Sequence, residues 1–444
     1  MRRVVLILAV LLVVAAAALL VLRGPRREWT TDSPEALAAY QRGLEDLMRY
    51  YREDAHREFE QALALDPTFV AAKVQLIDTS SSSSERKRLM GELGSADRSH
   101  LTGRERFLVE YLLAYPDDAA RARILERYLG DHPRDSWAVF LAAGNAWGRQ
   151  DWASAEELYR RLLTNDPNWV MAHNHLGYIA MAQGRFAEAE DRFRTYAFVA
   201  PDQANPHDSL GELLILRGRY DEARRELEAA LAVRPDFCAS YGNLDRLAML
   251  QNDPAATEAL LPRVQQHCNA DLATAMRCQR DRWVALAAGK FDAYWTSVDS
   301  SCLAKQDSAD ILAFRLALFG GQRARAEAQL AKLRSDLAAT PDRARAKALV
   351  LSVRLAELEA IRAAYDGDDA AAIAKLAEAD ALAPYWNDSS GGLLKLADRL
   401  LQARLRERAG DRAAAAALRA EVAAVNPSLA PLEASALIAI PPRT

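Results

Sequence analysis

The feature that most constrains the fold of this chain is the regular spacing of three prolines. Pro167, Pro201 and Pro235 lie 34 residues apart, and each follows a segment rich in Ala, Leu, Arg and Glu. A period of this size indicates stacked pairs of helices, each pair forming one repeat. Proline ends a helix because it has no N–H to donate and restricts the residue before it. The sequence therefore predicts a repetitive, all-α fold.

Between these prolines, the same residue types return at the same offsets. Leu-Gly pairs at 176–177 and 210–211 fall in the first helix of a repeat, and Gly184 and Gly218 fall at the turn. Small residues occur where two helices cross, and bulkier ones fill the space between hairpins: Ala155, Ala189 and Ala223, then Tyr159, Phe193 and Leu227. This pattern resembles the tetratricopeptide repeat family. The resemblance implies a right-handed α-solenoid whose concave surface is lined mainly by the first helices.

Weaker copies of the pattern extend in both directions. We expect one continuous solenoid over residues 31–430, with the best repeats at 134–235, degenerate repeats at 238–340 and further repeats at 343–428. Residues 1–30 form an N-terminal segment and residues 431–444 a C-terminal tail. Each hairpin of such an array buries its apolar face only against its neighbours.

The N-terminal segment predicts one transmembrane helix. Val4–Leu22 is an uninterrupted run of 19 apolar residues between arginines, and a helix of about 20 residues spans a bilayer. A cleaved signal peptide is the alternative, because Ala16 and Ala18 match a cleavage pattern. Arginines flank both ends, so they do not decide which side of the membrane the repeats occupy. We expect a single-pass inner-membrane protein with its solenoid in the periplasm.

A second resemblance concerns residues 33–63. Their sequence, SPEALAAYQRGLEDLMRYYREDAHREFEQAL, resembles the repeat ectodomains of bacterial receptor-type kinases and membrane-bound winged-helix regulators. In those families an effector domain precedes the membrane helix, whereas here only Met1-Arg2-Arg3 does. The resemblance implies that any signalling role is exerted through a partner.

Neither catalysis nor a cofactor is predicted. The formal net charge of -4 argues against a nucleic-acid partner, and the chain has no metalloprotease, nucleophile-elbow, phosphate-loop or zinc-binding motif. His173 and His175 resemble a metal pair, but residues two apart on a helix point in different directions. Asp366-Gly367-Asp368-Asp369 resembles part of a calcium loop but fits a turn and helix cap better. We expect no enzyme activity, metal site or small-molecule cofactor.

The chain's four cysteines lie within 65 residues of one another. Residues near the start of the first helix of a hairpin lie beside residues near the end of the second. This predicts disulfides Cys238–Cys268 and Cys278–Cys302, with Cys268–Cys278 as the second choice. Small buried thiols are the alternative interpretation. Disulfides would favour an oxidising compartment such as the periplasm.

The concave surface is the predicted binding site. In this family the inward-facing positions of the first helices map to Trp137, Phe140, Trp147, Asn174, Tyr178, Met181, Asp208, Glu212 and Ile215. Aromatic and methionine side chains in a groove suit an apolar or helical peptide, unless neighbouring side chains cover them. We therefore expect a non-catalytic, membrane-anchored scaffold that binds a protein or peptide. The alternative is a regulatory subunit that modulates an enzyme or transcription regulator through cytoplasmic repeats.

Overall fold

The computed structural model describes residues 28–298, 300–304, 309–341, 345–383, 389–428, 430 and 433. Within these ranges the chain forms helices joined by turns, without strands. The chain divides into two compact units between Tyr115 and Pro116. The predicted all-α class is thus confirmed for the described residues. The predicted boundaries of a single solenoid over 31–430 stay a prediction.

The first unit contains five helices in its described part: α1 (Pro34–Met48), α2 (Arg52–Leu65), α3 (Val70–Thr79), α4 (Ser83–Ser95) and α5 (Gly103–Leu113). Side-chain oxygens cap several of them, as at Thr102, which accepts a hydrogen bond from the backbone N–H of Glu105. Such caps satisfy N–H groups that have no partner within the helix. Tyr40, Phe59 and Phe69 form the aromatic centre of this unit, with ring centroids 5.0–5.7 Å apart.

The second unit begins with regular hairpins and continues with less regular ones. Its helices are α6 (Asp118–Asp131), α7 (Ser136–Gly148), α8 (Trp152–Asn165), α9 (Val170–Ala182), α10 (Phe186–Val199), α11 (Asn205–Leu216), α12 (Tyr220–Val233), α13 (Cys238–Leu250), α14 (Pro254–His267), α15 (Ala270–Ala287), α16 (Phe291–Ser297), α17 (Ser300–Ala304), α18 (Ile311–Phe319), α19 (Arg323–Ala338), α20 (Arg345–Tyr365), α21 (Asp369–Leu382), α22 (Ser389–Arg408) and α23 (Arg412–Val425). Most consecutive helices pack against each other, as expected when each hairpin buries its apolar face on its neighbours.

The small residues of the repeat pattern allow close helix packing. A Cβ atom added to Gly177 in α9 would lie only 2.5 Å from the ring of Phe193 in α10. Ala189 and Phe193 have no exposed surface, so this crossing is fully packed. Gly184 joins the two helices with φ of +73°, a backbone conformation that costs glycine little. The roles predicted for Gly177, Gly184 and Ala189 are confirmed, whereas Phe193, predicted to lie between hairpins, packs against Gly177 and Tyr178 of its own hairpin.

The C-terminal helices return to the middle of the second unit. Helix α22 packs against α11, where Gly392 meets the side chain of Leu216. Just after α23, the Ser428 hydroxyl donates a hydrogen bond of 2.9 Å to the carbonyl of Gly218. Asn426 is fully buried beside Tyr220. Helices that are distant in sequence therefore enclose part of the surface formed by the first helices of the repeats.

The predicted transmembrane helix, Val4–Leu22, lies outside the described residues, as does nearly all of the tail at 431–444. Within the part of the chain that the structure describes, no helix is both long and apolar enough to cross a bilayer. The membrane anchor and the compartment therefore stay predictions.

A candidate binding cavity in the second unit

A cavity of about 670 Å³ lies between the regular repeats and the C-terminal helices. One wall comes from α7, α8, α9 and α11, and the other from α20, α21 and α22. The lining residues are Trp147, Gly148, Gln150, Trp152, Tyr178, Glu212, Leu349, Val350, Val353, Arg354, Glu357, Ala379, Asp380, Ala383, Gly391, Leu394, Lys395 and Asp398. Aromatic and aliphatic side chains thus share the cavity with several charged groups, the mixture typical of binding pockets.

The aromatic wall of the cavity is held in place by ring contacts. The Trp147 ring meets the rings of Trp152 and Tyr178 edge-on, with centroids 5.3 and 6.4 Å apart. Tyr178 also packs edge-on against Phe193 at 5.0 Å. Edge-to-face contacts are a favourable geometry for aromatic pairs. The packing of α9 against α10 therefore fixes the position of Tyr178.

A polar network continues from Tyr178 into α11 and α13. The Tyr178 hydroxyl donates a hydrogen bond to Glu212, and its oxygen lies 3.3 Å from the Ser209 hydroxyl. On the same helix, Asp208 accepts hydrogen bonds from the Ser240 hydroxyl at 2.7 Å and the Asn243 amide at 3.0 Å. Burial, together with the Glu212 carboxylate, raises the pKa of Asp208 to about 7. Asp208 thus serves the packing of neighbouring repeats.

A buried acidic pair forms part of the opposite wall. Asp398 on α22 hydrogen-bonds Glu357 on α20, and burial followed by the nearby Glu357 charge raises the pKa of Asp398 well above its usual range. Two close carboxyl groups can share one proton instead of both being charged. Arg315 on α18 is buried nearby. Burial lowers the pKa of Arg315 to about 10, although the negative charge of these carboxyls favours its charged form.

Ion pairs anchor the charged side chains around the cavity. Lys395 Nζ lies 2.5 Å from Asp380 Oδ1 and donates a hydrogen bond of 2.9 Å to the carbonyl of Ala383. Arg354 pairs with Glu357 one turn further along α20. Because both cations already contact carboxylates, the cavity presents paired charges beside its apolar surface.

The structure separates the nine predicted groove residues into three sets. Trp147, Tyr178 and Glu212 line the cavity. Trp137 and Phe140 are half-buried and pack on the Trp169 ring, with centroids 6.0 and 5.8 Å away. The remaining four are buried: Asn174, Met181, Asp208 and Ile215.

Burial corrects the expectation that these last four residues face an open groove. Met181 and Ile215 have no exposed surface, so no ligand reaches them in this conformation. The physical reason for the burial of Ile215 is that α11 packs against α12, α13 and α22 together. A binding role for the other predicted groove residues stays a prediction.

The repeat pattern of the sequence does not indicate the second wall of the cavity. Val350, Arg354 and Glu357 come from α20, and Lys395 and Asp398 from α22. Repeat positions identify only the local concave surface, whereas these helices reach the cavity by a long-range contact. A sequence signal did exist, since Lys395 and Asp398 interrupt a leucine-rich helix face that packs against the core.

The cysteines form the two predicted pairs, but only the first has the predicted hairpin geometry. The sulfurs of Cys238 and Cys268 lie 2.09 Å apart, and those of Cys278 and Cys302 lie 1.95 Å apart. Cys238 begins α13 and Cys268 follows α14, so the first pair closes one hairpin. The second pair joins α15 to α17. Both pairs have the geometry of disulfides.

The two weak metal candidates have structural roles instead. His175 Nδ1 lies 2.8 Å from the carbonyl of Met171, and its ring stacks on Tyr159. Burial lowers the pKa of His175 to about 4, so it is neutral at physiological pH. Asp368 caps α21 by accepting a hydrogen bond from the N–H of Ala371, which confirms the predicted cap.

Three solved structures are similar to parts of this chain. The structure of pilF from Pseudomonas aeruginosa is 17% identical, with a TM-score of 0.30, and the match covers 52% of this chain and 91% of that one. A tetratricopeptide repeat protein from Parabacteroides merdae is 14% identical, with a TM-score of 0.33, and the match covers 62% of this chain and 97% of that one. The APC/C hetero-tetramer Cut9–Hcn1 is 15% identical, with a TM-score of 0.45, and the match covers 91% of this chain and 75% of that one. Comparison with curated proteins gave no match.

A part of the chain also matches the sequence model of a protein family. Residues 180–250 match the sequence model of the tetratricopeptide repeat. This range runs from the end of α9 through α13 and includes the Leu-Gly pair and turn glycines of the sequence pattern. Residues 180–250 are therefore similar to tetratricopeptide repeats.

Proposed function

We propose that this protein is a non-catalytic scaffold that binds a short segment of a partner protein in the cavity of the second unit. The observation that carries the proposal is the exposed apolar surface within the cavity. Val350 is 64% exposed although it lines the same cavity as Trp147 and Leu394. An isolated exposed valine has little meaning, but one that lies in an aromatic-lined concavity offers area to a ligand.

The size and charge of the cavity favour a short segment over a long helix. Pockets of about 300–1,000 Å³ hold a drug-sized group, so a cavity of about 670 Å³ accommodates a few side chains. An apolar side chain would pack between Trp147 and Val350. The ion pairs of Lys395 and Arg354 would orient the polar backbone of the segment.

We further propose that the protein is anchored in a bacterial inner membrane by Val4–Leu22 and exposes its repeats to the periplasm. The length of the apolar run supports the anchor. The two cysteine pairs at disulfide distance support an oxidising compartment. The alternative, a cytoplasmic regulatory subunit, requires free thiols, so alkylation of intact and permeabilised cells distinguishes the two placements.

Site-specific photo-crosslinking tests the cavity. A photoreactive residue at position 350 is expected to give a discrete adduct with a partner in cells. The matched control is position 284 on α15, where Val284 is 40% exposed and lies outside the cavity lining. Trp147→Ala should abolish the adduct at position 350 without loss of helicity. Equal adducts at both positions, or an adduct that persists in Trp147→Ala, would show that the cavity is not the binding site.

A further inference from the structure

A histidine and two glutamates converge on the surface of the first unit. His56 and Glu60 are four residues apart on α2 and therefore share a face of the helix. Glu85 reaches the same point from the first turn of α4. One ligand atom from each of the three residues lies within 4.8 Å of the others. These residues lie far in sequence from the cavity lining.

The hydrogen bond behind His56 determines which nitrogen faces the carboxylates. The Thr79 hydroxyl donates to the carbonyl of Gln75 at 2.8 Å, so its oxygen accepts from His56 Nδ1–H at 3.0 Å. In a neutral histidine this leaves the lone pair on Nε2. Nε2 lies 3.8 Å from Glu60 Oε1 and 3.9 Å from Glu85 Oε2. The lone pair thus faces two negative charges, an arrangement that a cation stabilises.

The surroundings of Glu85 match those of a metal ligand as well. Its Oε2 accepts a hydrogen bond of 2.6 Å from the Ser80 hydroxyl. Metal-binding histidines and carboxylates are commonly oriented by such outer hydrogen bonds. Here adjacent residues at the end of α3, Thr79 and Ser80, orient ligands from α2 and α4 respectively.

We propose that His56, Glu60 and Glu85 bind a divalent transition-metal ion, with zinc as the best fit. Imidazole nitrogen and carboxylate oxygen are both zinc ligands, and a site with three protein ligands keeps a fourth position for water. Metal–ligand bonds of about 2.0–2.2 Å bring tetrahedral ligands to about 3.5 Å from one another. The three ligand atoms, which lie within 4.8 Å of one another, therefore need to approach by no more than about 1 Å. All three side chains are partly exposed, which gives the ion access from solvent. The bound ion would join α2 to α4 and stabilise the first unit.

Calorimetric titration of the purified full-length chain with zinc chloride tests the site. We expect one saturable site that is lost in His56→Asn and in the isosteric pair Glu60→Gln with Glu85→Gln. Thr79→Val should weaken binding about 10–100-fold, because it removes only the orienting hydrogen bond. Glu58→Gln is the matched control, since Glu58 lies on the same helix but pairs with Arg42. Circular dichroism checks that each variant remains folded.

The titration either supports the metal site or refutes it. Loss of the site in the ligand variants, together with normal binding in Glu58→Gln, supports the assignment. Cobalt substitution should then give the intense visible bands of a tetrahedral site. The absence of saturable zinc binding, or binding that is unchanged in the ligand variants, would show that the three residues form only a cluster of polar side chains and no metal site.

Discussion

Gly177 offers a stringent test of how the repeat packs. In Gly177→Ala the added Cβ would lie 2.5 Å from Phe193 Cε1 and 2.8 Å from Cδ1. Carbon atoms prefer separations of about 3.5–4.0 Å, so the ring would have to move by about 1 Å. Phe193 is fully buried and contacts Tyr178, which leaves it little room. Overpacking of this kind typically costs about 1–3 kcal/mol.

A matched glycine separates packing from helix propensity. Gly144 lies in the interior of α7, and a Cβ added there meets no atom within 4 Å. Replacing glycine by alanine inside a helix gains about 0.5–1 kcal/mol where the space is open. We therefore expect Gly144→Ala to be slightly more stable than the parent, and Gly177→Ala less stable by about 1–2 kcal/mol once the propensity gain is subtracted.

Urea denaturation followed by circular dichroism and tryptophan fluorescence gives both values. A double mutant with Phe193→Ala should show non-additive effects, because removal of the ring also removes the clash. If Gly177→Ala were as stable as Gly144→Ala, the close approach of α9 and α10 would not be what requires glycine.

The remaining predictions concern charge and covalent links. Asp208→Asn should flatten the pH dependence of stability. The pKa of Asp208 is about 7 in the folded protein and about 3.9 in the unfolded chain. The wild-type protein should therefore lose up to about 4 kcal/mol of stability as the pH rises from about 4 to about 7. Denaturation at pH 5 and pH 8 measures this, and equal pH profiles for both proteins would contradict it. Arg315→Met should destabilise the second unit by about 3–5 kcal/mol, because it removes one of the two cations near Asp398 and Glu357 and leaves only Arg354. A loss below about 1 kcal/mol would show that Arg354 alone is sufficient for the acidic pair. Reduction should lower stability by about 3–4 kcal/mol for each disulfide, which closes a loop of 30 or 24 residues. Peptide mapping of protein from its native compartment checks the pairing, and free thiols there would refute both it and the periplasmic placement.

The local architecture of this protein can be predicted from its sequence alone. The helical hairpins, the close contact at Gly177 and the left-handed turn at Gly184 follow from the spacing of small residues and prolines. The cysteine pairing also followed, because Cys238 and Cys268 lie at opposite ends of one hairpin. These features depend on residues within about one repeat of each other, where periodicity carries the information.

Which part of the concave surface is available to a ligand depends on the tertiary structure. Trp147 and Tyr178 line the cavity, whereas Met181 and Ile215 occupy comparable repeat positions but are buried. For Ile215 the burial arises because α22 also packs against α11, a contact between helices more than 170 residues apart in the chain. Repeat periodicity describes how each hairpin meets its neighbours, but it does not encode where a distant helix closes on the array. That closure, which brings Asp398 opposite Tyr178 in one cavity, depends on the complementarity of surfaces that form only when the second unit folds.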